Sequence, residues 1–218
     1  MKIIFRSVLA IAALICLSML AACSQPQRGG QAPLPELSVG VASFYQPTSM
    51  VELMAGYIPD DQGPIDPESL LRIDADLRSA LSKTSRSYKY LDPISFSEGR
   101  EVGMNMRQNR RSALNFWAEI GKREGVDLLI VPTVVDWHER QGGEAGVTTS
   151  AAVTIDIFLI DCRADGNLLQ RAFYNEKQTG LTSNLLNIGT FFKRGGKWVT
   201  AEQLTQEAIE KAIQEFGL

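Results

Sequence analysis

Residues Val126 to Val135 read Val-Asp-Leu-Leu-Ile-Val-Pro-Thr-Val-Val, a nearly unbroken apolar run directly after Gly125. A strand that is apolar at successive positions has to bury both of its faces, so other layers must lie above and below it. That requirement excludes a one-faced antiparallel sheet and points to an α/β architecture with helices covering a sheet. Pro132 lacks a backbone donor, so it predicts a bulge or an interruption of the ladder at that residue.

The flanking segments supply the remaining layers. Leu37 to Phe44 alternates and reads as a first strand. Asp66 is placed to cap a helix with Pro67 at its first position, and Leu70, Ile73, Leu77 and Leu81 form one stripe. Tyr88 to Leu91 reads as a short second strand, and Ser95 with Glu98 as a capping box opening another helical stretch. Its apolar face returns at Ala113, Leu114, Trp117 and Ile120 and stops at Gly125. Thr148 to Ile160 alternates with Val153, Ile155, Ile157 and Leu159 on one side; Asp161 to Asn167 is a turn, and Leu168 to Thr179 returns as a strand. Thr200 and Gln203 form a capping box for a last helix with Leu204, Ala208, Ile209, Ala212, Ile213 and Phe216 on its apolar face. The predicted order is β-α-β-α-β-β-β-α: an α/β fold whose mixed sheet is covered by helices.

The N-terminus constrains where such a domain works. Lys2 and Arg6 precede an apolar run from Val8 to Leu20, short for a membrane span and typical of an export signal. The run ends in Leu20-Ala21-Ala22-Cys23, which resembles the lipobox of bacterial lipoproteins. The resemblance implies cleavage between Ala22 and Cys23 and lipidation of the Cys23 thiol. Residues 1–22 are then a signal peptide, 23–36 a lipidated cysteine and flexible tether, and 37–218 one α/β domain. Pro26, Gly29, Gly30, Pro33 and Pro35 give the tether little that can pack. Its thirteen residues from Ser24 to Glu36 extend at most roughly 45 Å and on average span about 20 Å, so the domain stays near its membrane. Ser24 stands where the family's sorting rule would place aspartate for inner-membrane retention, which favours the outer membrane.

Composition limits the partners. The formal net charge of −3 becomes more negative once Lys2 and Arg6 are removed, so no basic field attracts nucleic acid. With Cys16 in the signal and Cys23 modified, Cys162 has no disulfide partner and reads as a half-buried small residue. One histidine, His138, and one unmodified cysteine cannot build the usual zinc ligand set, so neither a metal nor a cofactor is expected.

The run Ala118-Glu119-Ile120-Gly121-Lys122-Arg123-Glu124-Gly125-Val126-Asp127-Leu128-Leu129-Ile130-Val131-Pro132-Thr133-Val134 resembles the helix-to-strand step of the domain shared by the N-terminal half of TolB, CsgG, PelC and LpoB. The hairpin Val153 to Tyr174 is similar to that domain too. The resemblance implies a non-enzymatic envelope domain of the anticodon-binding-like α/β type that works by contact. Departures narrow it: Gln141 to Ser150 is too polar and glycine-rich for a membrane-spanning hairpin, the tether is short beside LpoB's, and no propeller repeat follows.

Candidate contact residues lie in two places. Phe191, Phe192, Lys193, Arg194, Lys197 and Trp198 set three aromatics among three cations, suited to a subunit, partner or headgroup surface, or else to packing on the sheet. The 45–63 segment is a long connection with Met50, Val51, Leu53, Met54, Tyr57 and Ile58 among turn formers, with room for a short helix. Asn105 to Ser112, with Arg107, Arg110 and Arg111, reads as the solvated face of a continuing helix or as a break in it, with a basic ligand site as the alternative. For catalysis the sequence offers Asp60 with Asp61 and Asp161 with Asp165, and no Gly-x-Ser-x-Gly elbow to accompany His138. No catalytic residue is assigned. The leading expectation is a lipid-anchored accessory protein that self-associates or binds envelope partners in assembly, secretion or export of an envelope polymer. A monomeric regulator of a cell-wall synthase and a carbohydrate-active hydrolase are the competing readings.

Overall fold

The apolar run becomes β3 (Leu128–His138), whose residues Leu128 to Val135 are all buried. The structure, a computed structural model, describes residues 37–93, 110–163, 166–178, 192 and 194–218. β3 is the middle strand of a five-stranded mixed sheet. β1 (Val39–Val41) pairs parallel with both β2 (Tyr88–Tyr90) and β3. On the other side β3 pairs antiparallel with β6 (Ala152–Asp161), and β6 antiparallel with β7 (Asn167–Lys177).

Two helices cover one face. α1 (Pro67–Leu81) brings Ile73, Leu77 and Leu81, and α3 (Ala201–Phe216) brings Leu204, Ala208, Ile209, Ala212 and Phe216, into one core with Val39 and Val41 of β1, Leu128, Ile130 and Val134 of β3, and Val153, Ile155, Ile157 and Leu159 of β6. The opposite face is packed by α2 (Arg110–Arg123), whose Ala113, Phe116, Trp117 and Ile120 meet Leu129, Val131, Phe158 and Ile160. The helix ends form as their sequences dictate. Asp66 accepts from the Ser69 backbone N–H at 2.9 Å with Pro67 next in line, and Thr200 and Gln203 close a reciprocal capping box. Gly217 ends α3 in the left-handed region at φ 68°.

Several boundaries differ from the sequence reading. β1 is three residues long because Ala42 to Phe44 leave the sheet, which is rejoined at Tyr45, bridged to Thr133. Pro132 makes no bulge toward β6, where it pairs with Ile157; the register shift falls between Val134 and Asp136. Leu128 and Val134 donate toward the β1 side, to Ser38 and Tyr45, so by alternation Pro132 nitrogen also faces that side, where the chain has left the sheet. The missing donor therefore removes no ladder bond. Thr148 to Ser150 do not belong to β6: β4 (Gln141–Gly143) and β5 (Gly146–Thr149) form a separate exposed hairpin. Cys162 is fully buried rather than half-buried. α2 lies so close above it that a Cβ on Gly121 would stand 2.3 Å from its sulfur. The Ser95 and Glu98 capping box and residues 105–109 lie outside the described residues.

Candidate contact surface

α2 packs one end of its sheet face, and the 45–63 segment lies over the other. Gln62 donates to the Val135 carbonyl at 2.8 Å, the Gly63 N–H to Asp136 at 2.7 Å, and Gln46 to the Gly63 carbonyl at 2.8 Å. Glycine is required at position 63, since a Cβ there would fall 1.9 Å from the Trp137 carbonyl oxygen. The predicted short helix is a single 3-10 turn at Met50–Glu52, closed by Ser49 and Thr48 on the Glu52 carboxylate. Beneath it the Tyr45 ring packs 5.4 Å from Trp117, tilted by 41°. Burial pushes the Tyr45 hydroxyl up to about 12, so it stays a donor, given to the Glu52 carbonyl.

Between this segment and strands β6 and β7 lies a cleft of about 410 Å³, lined by Tyr57, Asp61, His138, Asp156, Arg171 and Phe173 among others. Its floor is an ion pair across the hairpin. Asp156 is 1 % exposed and takes both arms of the Arg171 guanidinium, at 2.6 and 2.9 Å. Burial pushes the Asp156 carboxyl above the ordinary range, and the Arg171 fork offsets part of that. Arg171 also lies over the Phe173 ring at 4.8 Å from its centre. Tyr57 and Phe173 expose 71 % and 44 % of their surfaces at the rim. His138 is placed 3.1 Å from Asp136.

In the sequence-predicted aromatic and cationic segment, Arg194, Lys197 and Trp198 bond within the domain, whereas Phe192 lies exposed. The Arg194 side chain is 7 % exposed and forks onto Glu207 of α3 at 2.7 and 2.7 Å, with the Tyr174 hydroxyl and Glu176 each at 3.4 Å. Burial opposes ionisation of Glu207, yet hydrogen bonds from Arg194 and Tyr174 and the Arg194 charge together hold its carboxyl below the ordinary range. Burial and the bond to Glu207 push the Tyr174 hydroxyl well up. Lys197 pairs with Glu144 of the small hairpin at 2.9 Å, and the Trp198 N–H donates to the Glu144 carbonyl at 3.0 Å. Arg140 bonds the Trp198 carbonyl. Phe192 is 66 % exposed. Phe191 and Lys193, like Ala22 and Cys23, lie outside the described residues.

The aspartate candidates are dispersed. Asp61 lines the cleft, Asp161 is held by Arg163 at 2.7 and 3.0 Å, and Asp165 lies outside the described residues. Among the described residues no group of three histidine, cysteine or acidic side chains is placed to hold a metal ion, and no helix is long and apolar enough to cross a membrane. The sequence reading missed Asp156 and Arg171. Their signal was register: Asp156 is the one charge inside the alternating strand, on the face opposite Val153 and Ile155, and the hairpin sets Arg171 opposite Phe158, one step along.

No family model matches the chain, and no curated protein sequence does. Solved structures to which it is similar include two of the four proteins named for the helix-to-strand run, PelC and LpoB. A PelC dodecamer from Paraburkholderia phytofirmans is 11 % identical, with 86 % of this chain and 93 % of that one covered at a TM-score of 0.45. The LpoB C-terminal domain from Salmonella enterica is 11 % identical over 65 % of this chain and 83 % of that one, TM-score 0.34. Lipoprotein GNA1162 from Neisseria meningitidis is 15 % identical over 73 % and 95 %, TM-score 0.39.

Proposed function

We propose that this chain is a lipid-anchored, non-enzymatic accessory protein of the cell envelope, whose α/β domain self-associates or holds partners during assembly, secretion or export of an envelope polymer. The observation that carries the reading is the ordered N-terminal sequence: Lys2 and Arg6, the apolar run to Leu20, then Ala21-Ala22-Cys23. In this reading residues 1–22 are removed, Cys23 carries the lipid, and 24–36 tether the domain 37–218 to the periplasmic face of the outer membrane.

The domain's surface supports contact rather than catalysis. Its cleft carboxylate Asp156 is occupied by Arg171, and its rim presents Tyr57 and Phe173 to solvent. Replacing Cys23→Ala tests the anchor: the protein is expected to leave the membrane fraction, and retention there refutes the lipid mechanism. Light scattering of the full chain in mild detergent tests self-association, with a discrete oligomer expected and a monomer at high concentration refuting it.

A further inference from the structure

The outer edge of β7 pairs with no strand among the described residues. Backbone direction along that edge follows from the ladder. Leu128 and Val134 donate toward β1, so the odd residues of β3 face β6. Carried through the paired registers, Ile155, Ile157 and Leu159 face β7, and Gln170, Ala172 and Tyr174 face back to them. The backbone groups of Arg171, Phe173, Asn175 and Lys177 therefore point outward. The Lys211 ammonium confirms the direction, reaching from α3 to the Phe173 carbonyl at 3.3 Å. A register shift makes Leu169 an extra residue, so the regular edge begins at Gln170.

Such an edge, eleven residues long with Leu168, Leu169 and Phe173 exposed, is a template for strand pairing, and one lysine guards a single carbonyl of it. We propose that β7 pairs antiparallel with β7 of a second copy, about a two-fold axis at Phe173. This deepens the self-association reading and rests on it. A two-fold perpendicular to the sheet sets each outward residue opposite another outward residue, so the axis must pass through a residue and not between two. Charge and the length of regular pairing then select which. An axis at Arg171 places arginine against arginine, and one at Tyr174 places Arg171 against Lys177. An axis at Ala172 keeps only 170–174 in regular pairing, and one at Asn175 only 173–177. At Phe173 the regular stretch 170–176 meets itself: Arg171 faces Asn175, Gln170 faces Glu176, and the two Phe173 rings adjoin. The Phe173 carbonyl then takes the N–H of Phe173 in the second copy and releases Lys211.

Full-length protein in mild detergent with Phe173→Cys tests the register, the unsubstituted chain being the control. Directly opposed residues of such a pair lie about 5.5 Å apart at Cα, inside the roughly 4.4–6.8 Å that a disulfide spans. Asn175→Cys sets its thiols roughly 14 Å apart. Oxidation is expected to link Phe173→Cys into dimers and to leave Asn175→Cys and the control unlinked. Asn175→Pro removes an outward N–H without touching the β6 ladder and should weaken association at least tenfold; Lys211→Ala removes the competing donor and should tighten it. Equal linking of both cysteine variants, or association unchanged by Asn175→Pro, overturns the proposal. An oligomer by light scattering whose Phe173→Cys variant does not link overturns the β7 axis alone, whereas a monomer overturns self-association with it.

Discussion

Replacing Arg171→Met isolates the ion pair beneath the cleft. Methionine keeps much of the apolar stem but leaves Asp156, 1 % exposed, without the two charge-assisted bonds at 2.6 and 2.9 Å. Removing one partner of a buried pair costs about 3–5 kcal/mol; because the Arg171 side chain retains 32 % exposure, water relieves part of this and the low end, about 3 kcal/mol, is expected. In a domain of this size that lowers Tm by roughly 6–12 °C, read by circular dichroism or as a shift of the urea midpoint at constant m. The sign with pH follows from the direction of the Asp156 shift. Burial raises this carboxyl, and without Arg171 nothing offsets the rise. A raised carboxyl favours the folded state below its unfolded value of 3.8 and loses that contribution as pH rises through the folded value. The deficit of Arg171→Met relative to the parent should therefore shrink on acidification. The paired change Asp156→Leu with Arg171→Met should recover most of the loss, since no buried charge remains. A deficit under 1 kcal/mol that is flat with pH would refute the reasoning.

Other expectations follow from close approaches and buried groups. Gly63→Ala forces a carbon onto the Trp137 carbonyl, and a loss of about 2 kcal/mol with faster proteolysis inside 45–63 is expected; unchanged cleavage would count against the anchoring role. Gly121→Ala collides with the Cys162 sulfur and should cost about 1–3 kcal/mol, relieved in the Gly121→Ala, Cys162→Ala double variant; simple additivity of the two changes would contradict the contact. The Cys162 thiol, pushed up to about 11 by burial and by Asp161, should resist maleimide at pH 8 until urea unfolds the domain, and prompt native labelling would show it accessible. Glu207 ionises below its ordinary 4.5, so its tie to Arg194 stabilises above that value and is lost as pH falls through the folded one. Glu207→Gln should accordingly flatten the acid limb of the stability profile.

Elements with local signals could be read directly from the order of residues. A cap depends on one side chain and a backbone three residues on, which is why Asp66 with Ser69 and Thr200 with Gln203 could be read from spacing. The alternation of Val153, Ile155, Ile157 and Leu159 marked the face that joins the core of α1 and α3, and the unbroken apolar run of β3 announced its two-sided burial; that the other face of β6 is buried as well was left to the packing of α2. The tertiary structure alone decided which long-range partners those elements take. Pro132 predicted an interruption but not the side on which it falls, because the side depends on where β1 leaves the sheet. Arg194 looked like a surface cation; its fate was set by Glu207 and Tyr174, carried on two other elements. Asp156 and Arg171 stand fifteen positions apart and meet only through hairpin register. Local spacing fixes hydrogen bonds within a few residues, whereas the burial of a charge depends on every layer that folds over it.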